Sequence, residues 1–359
     1  MTDDGMTNGA PSPSVRTAVV IIALLLALAA MWVAREIVAP LALAAVLVII
    51  VHPIRHPLQR RGWPRWAATT VVVAVAYLIL AVLAAMLVYA GFQFGELVAE
   101  VGDELQIAAA SVVDGLAAAG LGDQVSEATA AALDPSLLLD VAQNVGGWVL
   151  GFLTAAFFVL AYVIFMAADA ARYGRAEQAL GAGARAMVDR IRAYNSSVRR
   201  YYVVNASFGA IVAVVDGLAL WALGVPAPAV WAILAFVTNF IPNIGFVLGL
   251  VPPAALAFVV GGWPLALAVI AVYCVVNVVL QVLVQPKFVS DAVDLSLTLS
   301  FVSVIFWTFV IGPLGAILSI PLTLLVRDLL LDRDPGASRL RWLSGNAAAV
   351  APASATRDG

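Results

Sequence analysis

The apolar residues of this chain stand in uninterrupted blocks about 15 to 30 residues long, the length that crosses a hydrocarbon core of about 30 Å as a helix. Inside lipid every backbone N–H and C=O must be satisfied within the protein, so only helices and closed barrels span it. A barrel would read as alternating segments of about ten residues, and no such alternation is present. Composition agrees: 63% of the 359 residues are hydrophobic and 11% charged, against about 45–50% and 25% in soluble domains. That excludes a soluble domain, and it excludes disorder, which requires low hydrophobicity and high charge. The sequence predicts an all-α, polytopic helical integral membrane protein.

Placing the blocks gives about eight transmembrane spans. Ala18–Ala34 and Ile37–Val51 are separated only by Arg35-Glu36, which suits two linked spans better than a cleaved signal peptide. Ala67–Phe92 and Val145–Ala168 are the third and fourth, and Ala206–Leu223, closed by Gly224-Val225-Pro226, is the fifth. The stretch 229–260 is interrupted at Asn239-Phe240-Ile241-Pro242-Asn243-Ile244-Gly245 and again at Pro252-Pro253. A straight helix of that length would be about 48 Å long, too much for one ordinary crossing. Pro264–Val284 follows, and then Leu299–Val326, broken at Gly312-Pro313-Leu314-Gly315 and bent near Pro321. Eight crossings, or six with two re-entrant hairpins, satisfy the same charge pattern; we prefer eight.

Orientation comes from the arginines, because cytoplasmic loops are enriched in basic residues. All basic residues except Arg35 and Lys287 fall in the N-terminal tail, the loop 52–66, the segment 169–205 or the chain from Arg327 onward. The segment 93–144 has no basic residue and carries carboxylates from Glu96 to Asp140. The expected organisation is a cytoplasmic tail over 1–17, spans one to three over 18–92, and an extracytoplasmic amphipathic segment over 93–144. Span four (145–168), a cytoplasmic arginine-rich segment (169–205), spans five to eight (206–326) and a cytoplasmic tail (327–359) complete it. The 93–144 segment reads as solvated helices over the mouth of the protein, or as an acidic vestibule that concentrates cations. Met187, Ile191, Tyr194, Val198 and Tyr201 form one apolar helical stripe, suited to anionic lipid or to packing within the protein or a second protomer.

Several chemistries are excluded. One cysteine, Cys274, permits no intrachain disulfide and no thiolate cluster. His52 and His56 have the i, i+4 spacing of helical metal ligands, but Pro53 and Pro57 argue against an uninterrupted helix there. The one lysine, Lys287, stands in Gln-Pro-Lys-Phe, so there is no Walker A loop. Neither HExxH nor GxSxG occurs, and Gly120-Leu121-Gly122-Asp123 matches a protease motif only by chance, in the polar external segment. No enzyme, cofactor, metal or nucleic-acid role is predicted.

The candidate functional residues are polar groups placed within apolar spans. Asp216 is the one carboxylate deep in a predicted span, where ionised carboxylates cost about 2.5–3.5 kcal/mol and usually face the bundle interior or a water-filled path. Burial disfavours its charged form, so Asp216 would take up and release protons, or else it pairs with Arg35 or a loop arginine and locks helices together. Asn277, Gln281 and Gln285 recur every four residues on one helix face, either as glue between spans or as a hydrophilic lining. In the break, Asn239, Pro242, Asn243 and Gly245 would free backbone groups at mid-membrane, tolerated only beside protein or a water cavity. Broken helices of this kind bind substrates or ions in transporters. Gly312 and Gly315 mark a second such break.

These local patterns also carry a likeness. Gly224-Val225-Pro226 with Asn239-Phe240-Ile241-Pro242-Asn243-Ile244-Gly245 resembles the signature of the autoinducer-2 exporter family of bacterial, PerM-like transporters. Gln285-Pro286-Lys287, Gly312-Pro313-Leu314-Gly315 with Pro321, and the early Pro40, Pro53 and Arg61-Gly62-Trp63-Pro64 are similar to its other motifs. The likeness covers roughly 20–330. It implies a multi-pass inner-membrane protein, oligomeric, that transports without ATP; members are linked to export of a signal molecule, and others to sodium–proton antiport. The expected function is therefore secondary transport, most simply export of a small polar solute, in a lipid bilayer and as a homo-oligomer. Its path would run by Asp216, the 239–245 break, the Asn277/Gln281/Gln285 face and Lys287, coupled to H+ or Na+. The alternatives are a Na+(Li+)/H+ antiporter and a non-transporting scaffold.

Overall fold

A computed structural model describes residues 13–118, 147, 150–151, 153–166, 185–285 and 295–330. Among them there is no strand, and four helical stretches are long and apolar enough to cross a membrane. The chain is a polytopic α-helical membrane protein. Its helices are α1 (Pro13–Val33), α2 (Arg35–Val51), α3 (Arg55–Arg60), α4 (Arg65–Ala118), α5 (Leu153–Met166) and α6 (Arg185–Ala222). They continue with α7 (Pro228–Thr238), α8 (Gly245–Val276), α9 (Leu297–Ile311) and α10 (Pro313–Leu330), and a π-helical segment, Asn277–Val284, extends α8. Lys287 lies outside the described residues.

The two longest helices join what the hydropathy pattern separates. The 54-residue α4 runs without interruption from the third apolar block into the acidic segment, a length of about 81 Å. Likewise α6 carries the arginine-rich segment straight into the fifth block. Between α1 and α2 the only break is Ala34, and helical bonds run through it: Ala34 N–H donates to Ala30 O and Val38 N–H to Ala34 O, both 2.9 Å. The two spans expected on either side of Arg35-Glu36 are thus joined through a bend at Ala34 with no loop between them.

Three apolar clusters hold the helices together. The first joins α2 and α6 to α9 and α10 through Ala39, Val198, Tyr201, Trp307 and Leu318. A second sits between α2, α4 and α5 around Val51, Val72 and Val163. The third, around Leu220, Trp231, Leu256, Val269 and Tyr273, packs α6, α7 and α8 against Leu97 of α4. The stripe on α6 divides accordingly. Val198 and Tyr201 are buried in the first cluster, whereas Met187 and Ile191 are exposed.

The C-terminal half contains two hairpins of short helices. In the first, α7 is only 11 residues long, about 16 Å, too short to cross alone. It turns through 239–244 into α8, and a Cβ on Gly245 would fall 1.9 Å from the Thr238 carbonyl oxygen. In the second, α9 and α10 turn at Gly312 (φ 80°), and a Cβ on Gly315 would fall 2.0 Å from the Trp307 carbonyl oxygen. Only glycine permits these approaches. Pro252-Pro253 do not break α8, contrary to the sequence expectation. The interruption is at Gly262, whose φ of 66° a larger side chain would resist, and Pro264 then opens the next helical run in a position that needs no N–H.

Candidate functional site

The site is assembled on α6. Asn205 and Asp216 are eleven positions apart on it, about three turns, so they lie on the same face. A ridge of small residues, Gly209, Ala213 and Gly217, occupies the space between and beside them. A Cβ on Gly209 would lie 2.9 Å from Asn239 Nδ2, and one on Gly217 would lie 2.9 Å from Ala232 Cβ. Small residues let helices approach closely in a membrane, and here they draw α7 antiparallel against α6.

The rod formed by α8 and the π-helical segment passes α6 in the opposite direction. At one end Gln285 Nε2 donates to Asn205 Oδ1 at 2.9 Å. Asn239 Nδ2 donates to the Asn205 backbone oxygen at 2.8 Å, and Asn205 Nδ2 to Tyr201 O at 3.1 Å. Asn205 is buried, at 5% exposure, so this network fixes the 239–244 turn, α6 and the end of the π-segment as one unit. At the other end Asp216 stands one turn before Leu220, which shares the third cluster with Tyr273, and Asp216 and Tyr273 are both 2% exposed. Asn277 follows Tyr273 by one helical turn. Asp216 Oδ1, the Tyr273 hydroxyl and Asn277 Oδ1 are all buried and have no hydrogen-bond partner among the described residues. Buried polar atoms are ordinarily satisfied, which makes Asp216, Tyr273 and Asn277 the candidate residues of this seam.

Several expectations need correction. Arg35, offered from the sequence as a partner for Asp216, has its guanidinium over the Trp32 ring at 5.7 Å. Asn277, Gln281 and Gln285 do not sit on a regular α-helical face. The Gln285 N–H donates to Leu280 O at 2.8 Å, five residues back, and such π-turns re-aim side chains relative to α-helical spacing. The result sends Gln285 to Asn205, leaves Asn277 by Tyr273 and keeps Gln281 half-buried between them. The 239–245 break also frees fewer amides than expected. The N–H groups of Asn239, Phe240, Ile241, Ile244 and Gly245 all bond within it, to Ala235, Val237, Thr238, Pro242 and Ile241 carbonyls.

Other predicted residues serve the turns. Asn243 is exposed in the left-handed region (φ 62°), Pro242 is half-buried beside it, and Gly245 closes the hairpin. Gly312 and Gly315 shape the second hairpin, and no hydrogen bond brings them to the α6 seam. That hairpin meets α6 through tyrosines: Tyr202 OH donates to Ile317 O at 2.9 Å and Tyr194 OH to Pro321 O at 3.1 Å. Sequence reasoning missed Asn205 and Tyr273. Both had a signal, since Asn205 extends the stripe Tyr194, Val198, Tyr201 by four residues and Tyr273 extends the Asn277 series back by four.

Comparison with known proteins agrees with this architecture. Residues 21–332 match the model of the AI-2E family transporters, and the chain belongs to that family. It is 29% identical to the AI-2 transport protein TqsA of Escherichia coli over 306 residues, 85% of this chain and 88% of that one. It is 24% identical over 336 residues to a putative transport protein of Haemophilus influenzae, covering 92% and 96% of the two chains. A putative transport protein of Mycobacterium tuberculosis is 28% identical over 319 residues, 84% of each. The chain is a transporter.

Proposed function

We propose that this protein is an ATP-independent secondary transporter of the bacterial inner membrane that exports a small polar solute along the seam between α6 and the α8–π rod. The observation that carries the reading is the set of three buried polar atoms on Asp216, Tyr273 and Asn277 that have no hydrogen-bond partner among the described residues. A carboxyl group in a span is expensive unless it faces a polar path, and polar groups without protein partners are the ones a passing solute can engage. The relatives carry names of transport proteins, and one is named for AI-2; the solute of this chain is left open to test. The loop 52–66 and the segment 169–205 would face the cytoplasm, 93–144 the outside, and a homo-oligomer would hold the assembly in the bilayer.

A coupled reading is favoured by the same carboxylate. With no hydrogen-bond partner for Asp216 Oδ1 among the described residues, H+ or Na+ is a natural occupant in alternation with solute, so Na+(Li+)/H+ antiport is the second reading. Proteoliposomes holding a pH-sensitive dye and an imposed proton gradient separate the two. Wild type is compared with Asp216→Asn while Na+, Li+, K+ and then a panel of polar metabolites are added. Asp216→Asn should assemble normally and lose about tenfold or more in rate, the worth of a hydrogen bond to a charged group. A response to a metabolite supports export, and a response to Na+ or Li+ supports antiport. Equal rates for wild type and variant under every addition would overturn the seam as the path.

A further inference from the structure

A buried arginine lies away from the seam, at the corner where α2, α3 and α4 meet. Arg55 opens α3 there and is 6% exposed, the one buried basic side chain among the described residues. No carboxylate among the described residues pairs with it. Its partner is a neutral amide: with the Gln59 oxygen turned toward it, that oxygen accepts from Arg55 Nε at 2.5 Å and Nη2 at 3.2 Å. One turn of chain before it, His52 Nε2 is buried and has no hydrogen-bond partner among the described residues, and the His52 ring meets the exposed His56 ring edge-on at 5.8 Å. A buried charge with no counter-charge is strongly unfavourable. Natural chains seldom keep one without a use for it.

We infer that Arg55 and His52 form a binding site for a phosphate group. A guanidinium offers a planar fork that matches the oxygens of phosphate, and it is less strongly hydrated than an ammonium, so it suits a buried ion pair. His52, three residues earlier, carries an imidazole that can act as a second donor. The surroundings set the level at which such a group would be met. Arg60, Arg61 and Arg65 are exposed within eleven residues of Arg55, as are Trp63 and Trp66. Tryptophan beside arginine is the composition of a membrane–water interface, where anionic headgroups gather. The phosphate could be the diester of an anionic phospholipid or a free phosphate; the site chemistry is the same for both. This site is independent of the transport path.

The test uses the full chain, purified and delipidated in detergent, and reads thermal unfolding together with native mass spectra. The probes are dioleoylphosphatidylglycerol, dioleoylglycerol, which has the same chains without phosphate, and inorganic phosphate. Wild type is compared with Arg55→Gln and with the exposed control Arg60→Gln. A phosphate-bearing probe should stabilise wild type and Arg60→Gln, and bind Arg55→Gln about tenfold or more weakly. Without probe, Arg55→Gln should unfold no earlier than wild type, because it removes an uncompensated charge. Retention of the phospholipid with no response to inorganic phosphate assigns the site to lipid, and stabilisation by inorganic phosphate assigns it to a soluble anion. Equal responses to phosphatidylglycerol and dioleoylglycerol, or equal weakening in both variants, would overturn it. Should Arg55→Gln fail to assemble, Arg55→Lys keeps the charge without the fork; wild-type binding by that variant would also overturn the proposal.

Discussion

The two hairpins of the C-terminal half, 228–261 and 297–330, solve one steric problem in the same way and then diverge. Each turns back on itself where a glycine, Gly245 or Gly315, presses its Cα against a carbonyl of the preceding helix. Their polar side chains go to different places. In the second hairpin they are spent internally: Trp307 Nε1 donates to Thr323 Oγ1, whose hydroxyl donates to Ser303 Oγ, both at 2.9 Å. In the first hairpin Asn239 reaches out to Asn205 on α6, where Gln285 also arrives. One hairpin pairs these polar side chains with each other, and the other is wired into the seam that holds Asp216. Polarity within a membrane helix is therefore not itself a sign of function; what matters is whether the group is satisfied inside its own element.

The shared device should give the largest effects. Gly245→Ala and Gly315→Ala each place a methyl against a backbone carbonyl, and overpacking of this kind costs about 1–3 kcal/mol, more where nothing can shift. Both variants should lose most of their monodisperse yield after mild heating in detergent. A Gly245→Ala protein with wild-type yield would mean that the first hairpin is not held by the Thr238 contact.

The next effect should appear in only one hairpin. Asn205→Ala and Gln285→Ala each remove the side-chain bond that ties the π-segment to α6. Interhelical hydrogen bonds in membranes are worth about 0.6 kcal/mol and at most about 1.7, so each variant should remain folded. Because the two residues act through one bond, the double variant should lose no more transport than the worse single variant. Additive losses would show that the two act separately. The smallest effect belongs to the second hairpin. Thr323→Val breaks the Trp307–Thr323–Ser303 chain and should lower stability by about 1 kcal/mol while leaving the transport rate within about twofold of wild type.

Much of this contrast was legible in the sequence, and the reasons for the rest are physical. Both breaks could be found because Pro and Gly punctuate otherwise unbroken apolar runs, and the polar residues on the seam stand out against their surroundings. The bend at Ala34 was hidden because a charged pair such as Arg35-Glu36 resembles a loop, yet the backbone bonds through it. Pro252-Pro253 carried the opposite error. Tandem prolines read as a break, but the helix continues through them and yields instead at Gly262. The π-helical run was also invisible, since nothing in Asn277–Val284 announces bonds to the fifth residue back. Asn205 escaped notice because it stands at the edge of the arginine-rich segment, where a polar residue is unremarkable until the continuous α6 carries it beneath Asn239.

The central claim, that the α6 seam is the solute path and the second hairpin is not, can be tested without knowing the solute. Cys274→Ala removes the one native cysteine, and single cysteines are then placed at Asn277, Gln281 and Gln285 on the seam, and at Ser303 and Ser319 in the second hairpin. Each variant is exposed in sealed vesicles to a membrane-impermeant methanethiosulfonate reagent, and the labelled fraction is measured over time. Cysteines at 277, 281 and 285 should label readily while those at 303 and 319 stay protected. Seam cysteines as unreactive as the one at 319 would contradict the account.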